Sequence, residues 1–183
     1  STCNNTLIPV QVATFASYIR VLRAFLASGL EYALFIEDDI KLTEHANELC
    51  QQAISNDWLS ESKLQHSEPA LVQFGWALCD DHKSNKQPSL SGFLGKMSNP
   101  AFALNKAMAE EILARFEKVD TTADIFIHRI CANATNAKTF YPPLFYEMSW
   151  STGEVESTIH PKPIRLSYLE THNGKPEEIE HAT

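Results

Sequence analysis

Tyr32-Ala33-Leu34-Phe35-Ile36-Glu37-Asp38-Asp39 is an apolar run that ends on three consecutive carboxylates, and its reading decides the fold. A short apolar run between Gly29 and an acidic cluster fits a strand covered on both faces. Just upstream, Tyr18, Val21, Leu22, Phe25 and Leu26 recur at helical spacing from Ser17 to Ser28, and Gly29 supplies a stop. A helix feeding directly into a buried strand implies an α/β sheet.

The pattern continues outward from there. Glu44 to about Leu59 reads as a helix, with Ala46, Leu49, Cys50, Ala53 and Ile54 on one face behind a Thr43 N-cap. Leu71–Trp76 reads as a strand, and Cys79 to Gly92, rich in Asp, Lys, Ser, Asn and Pro, as a loop able to close over a ligand. Pro100–Leu104 is a short strand leading through Asn105, as a cap, into a helix whose Met108, Ile112, Leu113 and Phe116 form the apolar face. Thr121-Thr122-Ala123-Asp124 opens a further helix to about Ala132, and Thr139–Phe145 is a strand broken by Pro142-Pro143. Residues 1–168 are expected to form a single domain, and 169–183 an acidic, flexible tail.

Bulk properties exclude several classes. With 183 residues, 44% of them hydrophobic, the chain can build one sizeable core. Its net charge of -8 argues against wholesale nucleic-acid binding, because phosphate-rich partners are held mainly by Lys and Arg. Cys3, Cys50, Cys79 and Cys131 show neither a CxxC pair nor metal-ligand spacing, which fits free thiols in a reducing compartment. No uninterrupted apolar run approaches the ~20 residues of a spanning helix, so the expectation is a soluble domain without a transmembrane segment.

Three carboxylates at the mouth of a strand repel one another unless a cation or a proton intervenes. In open α/β sheets ligands bind at the carboxyl ends of strands, where this cluster would lie. Carboxylate oxygens suit Mg²⁺ or Mn²⁺, and such an ion can bridge an acidic protein to a diphosphate. On an extended chain residues two apart project to the same side, so Glu37 and Asp39 could share one ion while Asp38 faces the core or binds backbone or sugar hydroxyls. The alternative is a solvated acidic turn that caps the next helix.

These features resemble glycosyltransferase family 25, the group that includes lipopolysaccharide-biosynthesis and collagen galactosyltransferases. Ala16-Ser17-Tyr18-Ile19-Arg20-Val21-Leu22, followed by Leu34-Phe35-Ile36-Glu37-Asp38-Asp39-Ile40, is similar to that family's Ser-His helix and its aliphatic-Glu-Asp-Asp strand. Asn99-Pro100-Ala101-Phe102-Ala103-Leu104-Asn105-Lys106, Ala123-Asp124-Ile125-Phe126 and Tyr141-Pro142-Pro143-Leu144 resemble its later segments in order. The resemblance implies a GT-A-like open sheet sandwiched by helices, lacking the usual N-terminal strand-helix portion. It also implies inverting transfer of a galactose-like hexose from a nucleotide-sugar donor, a UDP-sugar, to a glycan acceptor such as lipopolysaccharide. Glu37 and Asp39 would then hold Mn²⁺ or Mg²⁺ against the donor diphosphate, and Asp38 would orient the donor. Tyr18 stands where the family usually has His, so the contact made there is altered.

Inverting transfer needs a base for the acceptor proton, and Asp124 is the candidate, although an Asp after Thr121 and Thr122 also reads as a plain helix cap. His160 is a candidate third metal ligand and His128 a candidate for the same cleft; each also reads as a structural histidine. Arg20, with Arg23 and Lys96, could neutralise donor phosphates or be ordinary surface charge. Trp76 and Trp150 are candidate acceptor contacts or core rings. The enzyme would work in the cytoplasm or at the inner face of a membrane. The competing readings are an inactive glycosyltransferase-like module binding a glycan or partner, and a Mg²⁺-dependent phosphate-ester enzyme.

Overall fold

The computed structural model describes residues 7–77, 84, 86–157, 159 and 166–167. A mixed, open seven-stranded sheet lies between two helical layers. Strands β1 (Tyr32–Ile36), β3 (Ala70–Trp76), β4 (Ser89–Gly92), β5 (Ala101–Asn105) and β6 (Asn136–Tyr141) run side by side in the order β1-β5-β3-β6-β4. The short strands β2 (Ile40–Leu42) and β7 (Phe145–Glu147) pair with each other, and β7 also extends alongside the end of β3. β5 is antiparallel to both β1 and β3, and β6 is parallel to β3. The carboxyl ends of β1, β3 and β6 therefore share one end of the sheet, where the acidic turn sits.

Strand alternation explains the two layers. Leu71 of β3 and Phe102 and Leu104 of β5 face one side, under α1 (Pro9–Ser28), α4 (Lys106–Arg115) and α5 (Ala123–Cys131). Ala70, Val72 and Ala103 face the other, against Ala46 and Leu49 of α2 (Ala46–Ser55) and Trp58 of the short α3 (Trp58–Glu61). Gly75 lets β7 approach β3: a Cβ there would meet the Phe145 carbonyl at 3.0 Å and the Ala101 methyl at 3.2 Å.

Several expectations need correction. β1 is an edge strand, covered on one face only: Ala33 and Phe35 pack on the core, while Tyr32, Leu34 and Ile36 are exposed because α2 and α3 stop short of it. The helix expected from Glu44 starts at Ala46, since the Thr43 hydroxyl donates to the Pro143 carbonyl (3.1 Å) instead of capping, and it breaks where Asp57 takes a left-handed φ of 54°. Ser55-Asn56-Asp57 favours that turn by side-chain competition for the backbone. Ser89–Gly92, expected within a loop, is a strand paired with β6; its single large apolar residue, Leu90, gives no alternation to read. The strand expected from Thr139 to Phe145 is two strands, β6 and β7, separated at a cis Tyr141-Pro142 bond.

Other expectations stand. α1 ends at Gly29 in the left-handed conformation, though it begins at Pro9, well before Ser17. With 20 residues and mostly apolar composition, α1 has the length of a spanning helix, although Gln11, Ser17, Arg20 and Arg23 interrupt its apolar run; in the fold it lays Phe15, Ile19, Leu22 and Phe25 into the core. Asn105 caps α4 by accepting from the Met108 N–H (3.0 Å), and the same amide accepts from Ala70 N–H and donates to the His66 and Glu68 carbonyls. Cys50 and Cys131 are free thiols. Cys3, Cys79, His160 and the tail 169–183 lie outside the described residues.

Candidate functional site

A cavity of about 600 Å³ opens at the carboxyl end of β1. Its apolar wall is a row of rings, Tyr18 stacked on Phe102 (6.1 Å) and Phe102 on Phe35 (5.2 Å), contributed by α1, β5 and β1. The rest is acidic. Glu37, Asp38, Asp39, Glu147 and Glu156 line it, and no lysine, arginine or histidine is among the described lining residues.

The backbone draws these groups together. Glu37 leaves β1 with its N–H donating to the Pro100 carbonyl (2.9 Å), and Asp38-Asp39 form a turn whose Asp39 carbonyl accepts from the Met148 N–H (2.8 Å). The chain is therefore not extended through the triplet, and projection of alternate residues to one side does not describe it. Met148 opens a π-helical turn, Met148–Thr152, directly after β7, so this contact brings Glu147 to the acidic turn. Ser98 holds the opposite wall in a left-handed backbone, φ 63°. Its hydroxyl donates to Glu147 Oε2 (2.8 Å) and its carbonyl accepts from the amide of Gln73 in β3 (3.1 Å).

The electrostatics show crowding. The Tyr18 hydroxyl donates to Glu37 Oε1 at 2.6 Å. Burial, with the charges of Glu147, Asp39 and Asp124 added, still pushes the Glu37 carboxyl up to about 7, against the lowering pull of that hydrogen bond. Glu147 is raised by burial first and then by Asp39 and Asp124, while hydroxyls of Ser98 and Ser149 (2.7 Å) pull the other way. Burial and the neighbouring Glu37 keep the Tyr18 phenol protonated far above its ordinary range. Negative charge in this cavity is thus under-compensated, and a cation would relieve it.

The donor set bears on which cation. Carboxylates suit a hard ion, yet among the described residues no three His, Cys, Asp or Glu side chains close into a ligand cluster. One or two carboxylates could hold an ion of the magnesium type only with water and substrate oxygens completing its shell. Among the described contacts the second oxygen of Glu37 has no hydrogen-bond partner, and Asp39 lies close by in the turn, so these two could hold such an ion.

Of the residues expected from sequence, the fold brings Glu37, Asp38 and Asp39 into one cavity. Asp124, at the start of α5, acts on Tyr18, Glu37 and Glu147 through its charge but is not a lining residue. Arg20 is exposed and does not line the cavity: two residues past Tyr18, it is turned about 200° around α1. Lys96 sits over the Trp76 ring instead (6.0 Å). His128 is buried edge-on to Phe93, and Trp76 is a fully buried core ring, so neither borders the cavity. Trp150 does not line it either.

Glu147 and Asn99 were not expected there. The usable signal for Glu147 is a repeat of form: Phe145-Tyr146-Glu147 closes an apolar strand with an acid, much as Glu37 directly follows Phe35-Ile36 at the end of β1. Asn99, before a proline, reads only as a turn residue. Tyr18 donates the hydrogen bond that ties α1 to the acidic triplet. No protein-family model matches the chain, and no curated protein matches it.

Proposed function

We propose that this chain is a metal-dependent, GT-A-like hexosyltransferase domain that binds a nucleotide-sugar, with UDP as the nucleotide, and transfers the sugar to a glycan acceptor such as lipopolysaccharide. The observation that carries the reading is the convergence of five carboxylates in one cavity with no cationic side chain on its described lining. An open mixed sheet between helical layers, with the acidic turn at the carboxyl end of a strand, is the frame such a reaction uses.

A divalent ion, Mn²⁺ or Mg²⁺, would neutralise the donor diphosphate and its developing charge as leaving group. Glu37 and Asp39 would hold that ion, and exposed Asp38 would orient the donor. The ring wall of Tyr18, Phe102 and Phe35 gives the bound sugar an apolar surface and excludes water from one side. The acceptor hydroxyl attacks the anomeric carbon with inversion, the bond to the diphosphate oxygen breaks, and the hydroxyl proton passes to a carboxylate. We assign that base to Asp124 acting through a bridging water, since it does not line the cavity but its charge reaches Glu37 and Glu147 there. The place of action is the cytoplasm or the inner face of a membrane.

Calorimetric titration with UDP, with and without Mn²⁺, tests the reading. The expected result is metal-dependent binding that Asp39→Ala abolishes. A folded protein with no affinity for UDP under either condition overturns it.

A further inference from the structure

Two asparagines in this fold are equally buried, each 1% exposed, and they differ in one respect. The amide of Asn105 makes four hydrogen bonds. That of Asn99 makes none: among the described residues neither its Oδ1 nor its Nδ2 has a partner. A buried amide without partners costs several hydrogen bonds' worth of desolvation and is rare unless a ligand or water completes it. Asn99 lines the cavity beside Tyr18 and Glu37.

The backbone around this amide is fixed from three directions. Ser98, strained at φ 63°, is held by Glu147 and Gln73. The Asn99 carbonyl accepts from the Tyr18 hydroxyl (3.2 Å), and Pro100 restricts Asn99 to an extended backbone. Strain tied down in this way, next to an unpartnered polar group, belongs to binding sites more than to packing.

We infer that Asn99 is the residue that reads the sugar hydroxyls of the bound donor, an assignment that rests on the nucleotide-sugar function proposed above. An amide offers one acceptor oxygen and two donor hydrogens, and a vicinal pair of hydroxyls satisfies both, one donating to Oδ1 and the other accepting from Nδ2. A further hydroxyl proton can go to Glu37. Phosphate oxygens only accept, so they would leave Oδ1 orphaned, and the neighbouring carboxylates repel an anion. The sugar therefore lies over Asn99, and the diphosphate lies towards the Asp38-Asp39 turn.

The test is calorimetric titration of the whole chain in Mn²⁺ with UDP and with UDP-galactose, beside thermal unfolding of the ligand-free protein. Asn99→Leu, close in shape and without polar atoms, should lower the ratio of UDP-galactose to UDP affinity about tenfold and leave UDP binding unchanged. It should also leave the ligand-free unfolding midpoint equal or higher, because no protein hydrogen bond is lost. If leucine does not pack, Asn99→Ala carries the same expectation for the affinity ratio. An unchanged ratio, an equal loss for UDP itself, or a ligand-free protein destabilised by the leucine while alanine keeps the ratio, each overturns the assignment. Wild-type protein that binds no UDP overturns the function instead, and the hydroxyl-reading role with it.

Discussion

Replacing Glu37 by glutamine should make the protein more resistant to alkali, and the size of the effect follows from the cavity. Glu37→Gln keeps the shape of the protonated carboxyl and the acceptor for Tyr18. The folded-state carboxyl titrates at about 7 against an ordinary value of 4.5. The folded protein therefore holds a proton that the unfolded chain has released between those values. The stability this group supplies is fully present below pH 4.5 and is lost as pH rises through 7. At about 1.4 kcal/mol per unit, the loss approaches about 3 kcal/mol. For a chain of this size that corresponds to roughly 6–12 °C in unfolding midpoint. The assay is thermal or urea unfolding of wild type and variant at pH 5 and pH 8, read as the difference between the two proteins so that all other titrations cancel. Near pH 5 the two should differ little; at pH 8 the variant should be the more stable by most of that amount. Adding Mn²⁺ at pH 8 should raise the wild-type midpoint and leave the variant's nearly unchanged. A wild-type-minus-variant difference that stays constant across this range refutes the account of a crowded, under-compensated carboxylate.

Asn105→Ala should cost about 3 kcal/mol or more, because it removes the cap on Met108 N–H and strands the Ala70 N–H and two carbonyls, a loss visible as a lower urea midpoint at unchanged slope. Cys131 should resist alkylation in the folded protein and react only on unfolding, since burial pushes its thiol up to about 12; peptide mass mapping after brief treatment with iodoacetamide at pH 8 checks this.

How much of this could be read from the sequence varies with the kind of information each residue carries. α1, β3, and the strand-cap-helix unit at Asn105 were legible because apolar spacing and capping chemistry are local. β4 was not, because Ser89–Gly92 is a strand only by virtue of its partner β6, a long-range fact that four small residues do not announce. Helix α2 was overextended for a related reason: Thr43 has the chemistry of a cap but spends its hydroxyl on a loop about a hundred residues away. In the site, the acidic triplet declared itself by density of charge. Glu147 and Asn99 did not, since a lone acid and an Asn-Pro step are commonplace until the Met148 to Asp39 contact and the Ser98 hydroxyl set them around one cavity. Arg20 carries the charge a phosphate would need, but its side of α1, exposed and about 200° round from Tyr18, is a helical fact that residue type does not announce.

The strand that delivers Glu37 is bound to the rest of the sheet along one flank only, through β5. Glu147 and Asn99, by contrast, hang from strands with neighbours on both sides. Thermal breathing should therefore loosen β1, and the triplet with it, before the central strands β3 and β5 let go, with the β5-bonded amides of Ala33 and Phe35 exchanging ahead of those of Val72 and Ala103. A ligand that clasps both sides of the cavity would then act as a staple across this seam, and its affinity would register as slowed exchange along a strand it never touches over most of its length.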